Sequence, residues 1–389
     1  MDDNEVGMKK RKTYRIAKKD DKNVAFETKG SEDAKDGKVT EDDTQIDSNV
    51  LEGLIPDIED YMGATLSAEE TTAVVELPPV IKFRKNWTLS VTDLSSQLWC
   101  EKQTELMLIT GRKRVTKEME QGTERHEQLE LEDHEVVEVA VETNEDFLGI
   151  KLLNSVNLID QLMSTGKCRE LWLFANINGY VLRGVIDQLE IIRSGPTRQK
   201  KVCISDTKTR NKKSKPSASQ MQGAALQVQT YCIMLERMRG GKEGFDALYK
   251  AFECDKEAPF VSPELVDEGC LAKLEKRFRN AFMRLPEIAT TMQLSYEHQG
   301  EVFNTSNIDL QKSSTMYTIQ YLCDFWDGNR HAEPVRKQES WKCKMCEYRE
   351  ECDVSPLPKG SRPKDALPPG QMLLDSFLEI RPRKESPKS

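Results

Sequence analysis

Hydrophobic residues are spread unevenly along the 389-residue chain, and their spacing predicts where the chain folds. From residue 1 to about Pro79 the apolar positions are too scattered to define a buried face, and the segment is polar, acidic and poor in aromatic residues. Such a composition is typical of disorder. The pattern therefore predicts a disordered acidic arm over residues 1–79, a folded domain over 80–354 and a mobile tail rich in Pro, Lys and Ser over 355–389.

Within the folded region, apolar residues recur at the spacings of helices and strands. Ser90-Val-Thr-Asp93 is a capping-box-like helix start, and Asn178-Gly179 between two strand-like runs predicts a tight hairpin. The pattern predicts helices over about 90–108 (which includes Cys100), 116–131, 148–163, 217–239, 263–292 and 314–326, strands over 136–141, 170–177, 180–192, 201–208 and 294–303, and a hairpin-like stretch over 245–253. This order favours an α/β domain with a mixed central sheet flanked by helices.

The formal charge of -9 comes from one segment of the chain. Residues 20–76 contain seventeen acidic side chains and four lysines, a net charge of -13, so the remainder carries +4. A mildly basic body permits a polyanionic partner. No apolar run is long enough to cross a bilayer. Ten cysteines without a secretory signal favour a reducing compartment, in which thiols act as metal ligands or core residues.

Two strands of the predicted sheet carry carboxylates close to a lysine. Asp187 ends the sequence Gly184-Val-Ile-Asp187, and Asp206 precedes Lys208 by two residues on the next strand. Side chains two apart in a strand point to the same face, so Asp206 and Lys208 are expected to lie side by side. Hard cations such as Mg²⁺ take oxygen ligands, and a neighbouring lysine steadies charge at a phosphate. The pattern is that of metal-assisted phosphodiester hydrolysis.

Two predicted helices carry further polar residues that are candidates for the same site. Gln227 and Tyr231 are four apart and share one helix face, from which they could contact a phosphate or orient Lys208. His126, in Gly122-Thr-Glu-Arg-His126, is a further candidate ligand. Taken singly, each has an ordinary alternative: a surface histidine among charged neighbours, residues of an amphipathic helix, or, for Asp206 and Lys208, a same-face salt bridge.

The cysteines divide into a candidate metal site and core residues. Cys100 stands alone, whereas Cys343, Cys346 and Cys352 form a compact trio. Structural zinc sites usually gather two local pairs, so this spacing favours a four-thiolate iron–sulfur cluster, with zinc as the alternative. Either metal would hold both ends of the domain together. The remaining cysteines are interpreted as small buried hydrophobic residues: Cys168, Cys203, Cys232, Cys254, Cys270 and Cys323.

The motifs resemble a known enzyme family through their order and combination. Gly-x-x-x-His126, Gly-Val-Ile-Asp187, Asp206-x-Lys208 and Gln227-x-x-x-Tyr231 follow one another between Cys100 and the cysteine trio. This set is similar to the RecB-type nucleases of the PD-(D/E)xK superfamily, and in particular to their iron–sulfur-bearing exonuclease V branch. The resemblance covers roughly residues 89–353. Asp206 departs from it, because many relatives have glutamate at that place.

The resemblance implies a role for each motif residue. His126, Asp187 and Asp206 would hold Mg²⁺ or Mn²⁺, Lys208 would be the catalytic lysine, and Gln227 and Tyr231 would support the site. The four thiolates of the candidate metal site would bind a 4Fe-4S cluster: Cys100, Cys343, Cys346 and Cys352. The implied activity is exonucleolytic cleavage of single-stranded DNA to short oligonucleotides, with threading from an end, in DNA repair or genome maintenance.

Two other functions remain open from the sequence. One is a nucleic-acid-binding scaffold with an inactive nuclease centre, against which the intact acid–acid–lysine set argues. The other is a nuclease for structured or RNA substrates within a helicase complex. The chain has no Walker-type phosphate loop, so a helicase would have to be a partner.

Several expectations concern location and partners. An acidic N-terminus, unlike a mitochondrial presequence, favours the nucleus or cytosol, and Lys9-Lys-Arg-Lys12 is either an import signal or a solvated charge run. The expected partner is single-stranded DNA, bound by a monomer, with a single-strand-binding protein as a further candidate. The segment 371–378 resembles a degenerate sliding-clamp-binding box. Basic residues in 112–114 and 198–215 are candidate phosphate contacts, and Trp99, Trp326 and Trp341 are candidates for base stacking.

Overall fold

The computed structural model describes residues 12–17, 77–84, 87–111, 117–133, 136–196 and 198–359. In the described ranges the α-helices are α1 (Pro79–Phe83), α2 (Val91–Ser95), α3 (Glu101–Thr110), α4 (Lys117–Asp133), α5 (Asn144–Thr165), α6 (Ala218–Arg239), α7 (Phe245–Phe252), α8 (Leu271–Met283) and α9 (Lys312–Trp326). The strands are β1 (Lys12–Ala17), β2 (Thr88–Ser90), β3 (Val136–Val141), β4 (Lys167–Ile177), β5 (Tyr180–Ser194), β6 (Gln199–Thr209), β7 (Glu287–Ile288), β8 (Thr291–His298) and β9 (Glu301–Asp309). Short 3-10 helices cover Ser96–Leu98, Val266–Glu268 and Lys337–Met345.

A mixed seven-stranded sheet forms the centre of the fold. Its path runs β2–β5–β6–β8–β9, and β4 pairs with β5 while β7 pairs with β6. The β4–β5, β5–β6 and β8–β9 pairs are antiparallel, whereas β5 is parallel to β2 and β6 is parallel to β7 and β8. The predicted mixed sheet flanked by helices is therefore confirmed.

The core lies on both faces of this sheet. Five consecutive residues of β4, Leu171–Ala175, are buried, which requires both faces of the strand to be covered. Helices α5 and α6 both pack against β4, and α8 packs against both of those helices. Among the six cysteines assigned to the core, all are buried except Cys254, which is half-buried. Among the described helices, none has the length and apolar character needed to cross a membrane.

Two local sequence signals form the structures that they predict. Ser90 and Asp93 make a reciprocal capping box at the start of α2, and Ser217 and Gln220 make another at the start of α6. Asn178 and Gly179 have φ values of 52° and 79°, as a two-residue turn with both central residues in the left-handed region requires.

The helix predicted over 90–108 is broken near Cys100. It consists of α2, the 3-10 turn Ser96–Leu98 and α3, and Cys100 is the extended N-cap residue of α3, with φ of -170° and ψ of 115°. Cys100 thus lies between helices, where its thiol can face the C-terminal segment.

Three more predictions in the second half were wrong in type or extent. The stretch predicted as hairpin-like is helix α7, because Phe245, Leu248 and Tyr249 repeat at helical spacing and are buried on one face. The helix predicted over 263–292 is reduced to α8, because Gly269 with φ of 78° precedes it and Pro286 follows it. The strand predicted over 294–303 is two strands that turn at 299–300, where both residues have positive φ.

One segment of the predicted disordered arm has a partner. Lys12–Ala17 pairs antiparallel with Val136–Val141, so β1 and β3 form a separate two-stranded sheet. The other residues of 1–76, and the tail from residue 360 with its clamp-box-like segment, lie outside the described residues, as do 112–114 of the basic candidates.

Candidate active site

The site begins where β5 and β6 separate. Their antiparallel pairing runs from Ser194–Gln199 to Gln188–Ser205, so Asp187 and Asp206 come next on each strand. From Ser205 onward, β6 also pairs with β8. The Asp187 carboxylate accepts a hydrogen bond from the Thr207 backbone N–H at 2.9 Å. The separation of the strands therefore places two carboxylates side by side at the end of a ladder.

Lys208 lies between a carboxylate and the helix above it. Its Nζ is 3.0 Å from Asp206 Oδ1 and 2.9 Å from Oδ2, and it donates to Gln227 Oε1 at 3.1 Å. Gln227 Nε2 in turn donates to the Tyr231 hydroxyl at 3.0 Å. The expected same-face placement of Asp206 and Lys208 is thus present, and the i, i+4 pair on α6 orients the lysine.

Tyr231 can occupy this position because residue 184 is glycine. A Cβ atom at Gly184 would lie 2.4 Å from a ring carbon of Tyr231. The glycine of the Gly-Val-Ile-Asp motif therefore serves close packing between β5 and α6.

His126 reaches the site from α4. Its Nδ1 is 3.1 Å from Glu170 Oε1, and its Nε2 is 3.7 Å from Asp187 Oδ2. In the neutral imidazole, a proton on Nδ1 donated to Glu170 would leave the lone pair of Nε2 directed toward Asp187 and available to a metal ion.

Glu170 is the site residue that the sequence reasoning missed. It lies on β4 between Arg169 and Leu171, whose partners on β5 are Gln188 and Ile186, so Glu170 is opposite Asp187. Its backbone φ is 53°, an uncommon value for a non-glycine residue inside a strand. The tight turn predicted at Asn178-Gly179 fixes this register, and counting back from the turn would have paired Glu170 with Asp187.

The charges of the cluster perturb one another. The hydrogen bond to Glu170, together with the nearby Asp187 and Asp206 carboxylates, raises the pKa of His126 to about 9. Burial and the Asp206 carboxylate raise the pKa of Asp187 to about 7. For Lys208, burial alone would lower the pKa, but Asp206 and Asp187 outweigh it and the net shift is upward. Three carboxylates share one lysine and one histidine, and a bound cation would relieve the repulsion that raises the pKa of Asp187.

The donor atoms fit a hard divalent ion. Among the described residues, His126, Glu170 and Asp187 form a set in which one ligand atom from each lies within 4.8 Å of the others. Carboxylate oxygens with an imidazole suit Mg²⁺ or Mn²⁺. Of the three ligands that the resemblance implied, His126 and Asp187 belong to this set. Asp206 is beside it, with its carboxylate paired to Lys208.

The four predicted cluster cysteines converge from the two ends of the domain. Burial raises the pKa of Cys346 to about 12, and Cys100 and Cys343 add to the shift. Burial also raises the pKa of Cys100 and of Cys343, in each case with a contribution from Cys352. The backbone near Gln103 and Val335 opposes the rise in the pKa of Cys100 in part. A bound metal would keep such thiols deprotonated.

Protein contacts tie the same two segments together. Lys342 Nζ donates to the Trp99 carbonyl at 3.0 Å, and the Trp99 and Trp341 rings pack edge to face with centroids 5.5 Å apart. Arg330 donates twice to Glu101, at 2.5 and 2.6 Å. Trp326, a candidate for base stacking, is fully buried and is a core residue. The loop 211–215 is exposed beside β6, as a phosphate contact requires.

Comparison with known proteins identifies the family. The model of a family described as "Exonuclease V - a 5' deoxyribonuclease" matches residues 78–200, 193–283 and 265–354, well over half of the chain. The chain belongs to the exonuclease V family.

A curated relative and a solved structure are also similar. Exonuclease V of Danio rerio is 28% identical over 295 residues, which cover 71% of this chain and 72% of the relative. A structure described as "Crystal structure of SSO0001" covers 70% of this chain and 88% of its own, with 13% identity and a TM-score of 0.31. The exonuclease V match includes every predicted site residue from Cys100 to Cys352. Membership of the family supports a nuclease that acts on DNA.

Proposed function

We propose that the protein is a metal-dependent 5′ exonuclease of single-stranded DNA that releases short oligonucleotides. The single observation that carries this proposal is the meeting of His126, Glu170, Asp187, Asp206 and Lys208, from four separate elements, at the point where β5 and β6 separate. The 5′ polarity comes from the description of the family. The preference for single strands comes from the sequence resemblance.

The fold that we propose is the PD-(D/E)xK nuclease fold. Asp187 and Asp206 with Lys208 on adjacent strands of a mixed sheet, and α6 packed over the site, support this assignment. We propose further that Cys100, Cys343, Cys346 and Cys352 hold a 4Fe-4S cluster that joins the ends of the domain.

The site residues would divide the chemistry between them. His126, Asp187 and Glu170 would hold Mg²⁺ or Mn²⁺ beside Asp206. When bound, the ion would supply a Lewis acid and a more acidic water. Lys208, held by Asp206 and Gln227, places a positive charge where the phosphate gains negative charge during cleavage. Tyr231 keeps Gln227 in place, and burial of Asp206 excludes bulk water from that side.

The test compares substrates and variants in one assay. Anaerobically purified protein is given linear single-stranded DNA labelled at either end, internally labelled circular single-stranded DNA, duplex DNA and RNA, with Mg²⁺. We expect cleavage of the linear single strand from its 5′ end, and none after Asp187→Ala or Asp206→Ala, with iron content unchanged. Asp160→Ala, a carboxylate that pairs with Arg284 away from the site, is the matched control and should cleave normally.

Each contrary result has a distinct meaning. Full activity of the Asp187→Ala, Asp206→Ala double variant would refute the site, and cutting of circular DNA would refute the need for an end. Preferential cleavage of RNA would favour a nuclease for structured or RNA substrates. Folded wild-type protein that binds DNA and cuts nothing would favour a binding scaffold.

Location and further partners are proposals from the sequence. We expect a nuclear or cytosolic monomer that works on DNA coated by a single-strand-binding protein. Binding to a sliding clamp through 371–378 is tested by deleting residues 371–389; unchanged clamp binding, or none in the wild type, would refute it.

A further inference from the structure

Helix α4, which carries His126, buries a single apolar side chain between residues 119 and 131, the part whose side chains the structure describes. Among its side chains that the structure describes, Leu129 is the buried apolar one, whereas Met119 is 47% exposed and Leu131 is 60% exposed. By contrast, α5 buries a continuous apolar face against β4 and α8. Burial of apolar surface is the main force that fixes a helix on a domain, so α4 depends on other contacts to fix its position.

Two polar contacts of adjacent residues hold α4 on opposite sides of the site. His126 bonds to Glu170 on β4 at 3.1 Å, and Arg125 Nε lies 3.0 Å from Glu297 Oε2 on β8. In the sheet, β5 and β6 with the two aspartates lie between β4 and β8. The helix therefore crosses the site and is bound at both flanking strands.

The backbone of β8 is irregular at the residue that receives Arg125. Pairing with β9 is shifted between Tyr296 and Glu297, as in a β-bulge. Along β8 every second side chain is buried: Met292, Leu294 and Tyr296. If this alternation continued, Glu297 would be exposed. Its side chain is instead only 9% exposed. Bulges next to functional sites re-aim side chains. Here the bulge leaves a carboxylate enclosed, where Arg125 pairs with it.

We infer that Arg125 is a positioning residue, which sets α4, and with it His126, over Asp187 through its ion pair with Glu297. The inference rests on the proposed function for the role of His126 as a metal ligand. Arg125 itself touches neither substrate nor metal in this assignment. Because Arg125 is 23% exposed and Glu297 9%, the pair is shielded from solvent more than an ordinary surface pair and can constrain the helix.

The test measures metal affinity and helix exchange in full-length, cluster-containing protein without DNA. Variants are Arg125→Gln, Glu297→Gln and the double variant, with Lys312→Gln as control because it breaks an exposed pair to Glu236. Electron paramagnetic resonance gives the Kd for Mn²⁺, and hydrogen exchange is followed in 117–133 and 199–209. We expect each single change to raise Kd about 10-fold, as loss of a residue that orients a ligand does. Exchange should become faster in 117–133 only.

The double variant decides whether the two residues act as one unit. If they do, the Kd of the double variant for Mn²⁺ is no higher than that of the single variant that binds Mn²⁺ less tightly. The Lys312→Gln control should then bind Mn²⁺ as the wild type does. Multiplied effects of the two changes, or wild-type Kd and exchange in both single variants, would overturn the inference. A His126→Ala variant with wild-type Mn²⁺ affinity would instead refute the metal site of the proposed function. In that case exchange of 117–133 alone decides whether Arg125 fixes α4.

Discussion

At the scale of single residues, each side chain of the site serves a neighbour as well as the reaction. Asp187 faces His126 and also accepts the Thr207 N–H where the β5–β6 ladder ends. Gln227 accepts from Lys208 and donates to Tyr231. Removing one of these groups therefore changes the position of others. An experiment on the site must measure the affinity for the metal ion separately from the rate of DNA cleavage.

Lys208→Met tests that separation. The change removes a positive charge beside the proposed metal ligands, so Mn²⁺ affinity in the absence of DNA should stay equal or become tighter. Cleavage should fall about 10²–10³-fold, because a positioned charge at the reacting phosphate is lost. Single-turnover cleavage and Mn²⁺ titration check the two expectations. Weaker Mn²⁺ binding would show that Lys208 supports the ligands themselves.

Gly184→Ala tests the packing under Tyr231. The added methyl group would lie 2.4 Å from the ring, so β5 or α6 must shift. We expect the free energy of unfolding to fall by about 1–3 kcal/mol, as overpacking of a core does. Gly122→Ala is the matched control, because no atom lies within 4 Å of its added methyl group. In helix α4 that change should leave stability equal or raise it by up to about 1 kcal/mol. Equal urea midpoints for both variants would contradict this account.

At the scale of elements, the predictions from sequence succeeded where a local signal was strong. The capping box at Ser90 and the turn at Asn178-Gly179 are set by short-range hydrogen bonds and by backbone conformation. Helix α7 was missed although its apolar spacing is helical, because eight residues fit either interpretation of a short apolar run. The break at Cys100 has no signal in the apolar spacing, and contacts with the C-terminal segment begin directly after it, where the Lys102 N–H donates to the Glu333 carbonyl.

Those contacts make α3 sensitive to a distant residue. Glu101, the first residue of α3, is buried and accepts from Arg330 and from the Glu333 N–H. Arg330→Ala leaves this carboxylate buried without its cation and should lower the free energy of unfolding by about 3 kcal/mol. Glu101→Gln, which keeps the shape, should cost less. Urea unfolding checks both, and Arg284→Ala, which breaks an exposed pair, should have almost no effect. If Arg330→Ala lowered the free energy of unfolding no more than Arg284→Ala does, the stabilising role of the Arg330–Glu101 pair would be contradicted.

At the scale of the whole molecule, the proposed cluster would join Cys100 to cysteines more than 240 residues away in the chain. Closing so large a loop would constrain the unfolded chain and stabilise the folded one, on top of the contacts of Trp99 and Glu101.

Loss of one cysteine should therefore affect both iron and stability. Cys346→Ser is expected to lower iron content severalfold, to lower Tm, and to make the segments around residues 100 and 343 more sensitive to protease. Cys254→Ser, a half-buried cysteine outside the set, should keep the iron. Iron analysis and a thermal scan check this. Wild-type iron in Cys346→Ser, or zinc in place of iron in the native protein, would contradict the cluster.

The sequence by itself determined the order of the motifs, the capping and turn residues, and the family. These follow from periodicity, backbone preference and residue type, which act over a few neighbouring positions. Only the tertiary structure decided that His126 of α4 reaches Glu170 and Asp187, that Asp206 lies beside that set and not in it, and that Arg125 reaches Glu297. Such contacts depend on where α4 docks, on the separation of β5 from β6 and on a bulge in β8. Those features arise from contacts between distant parts of the chain, which the local pattern of residues does not encode.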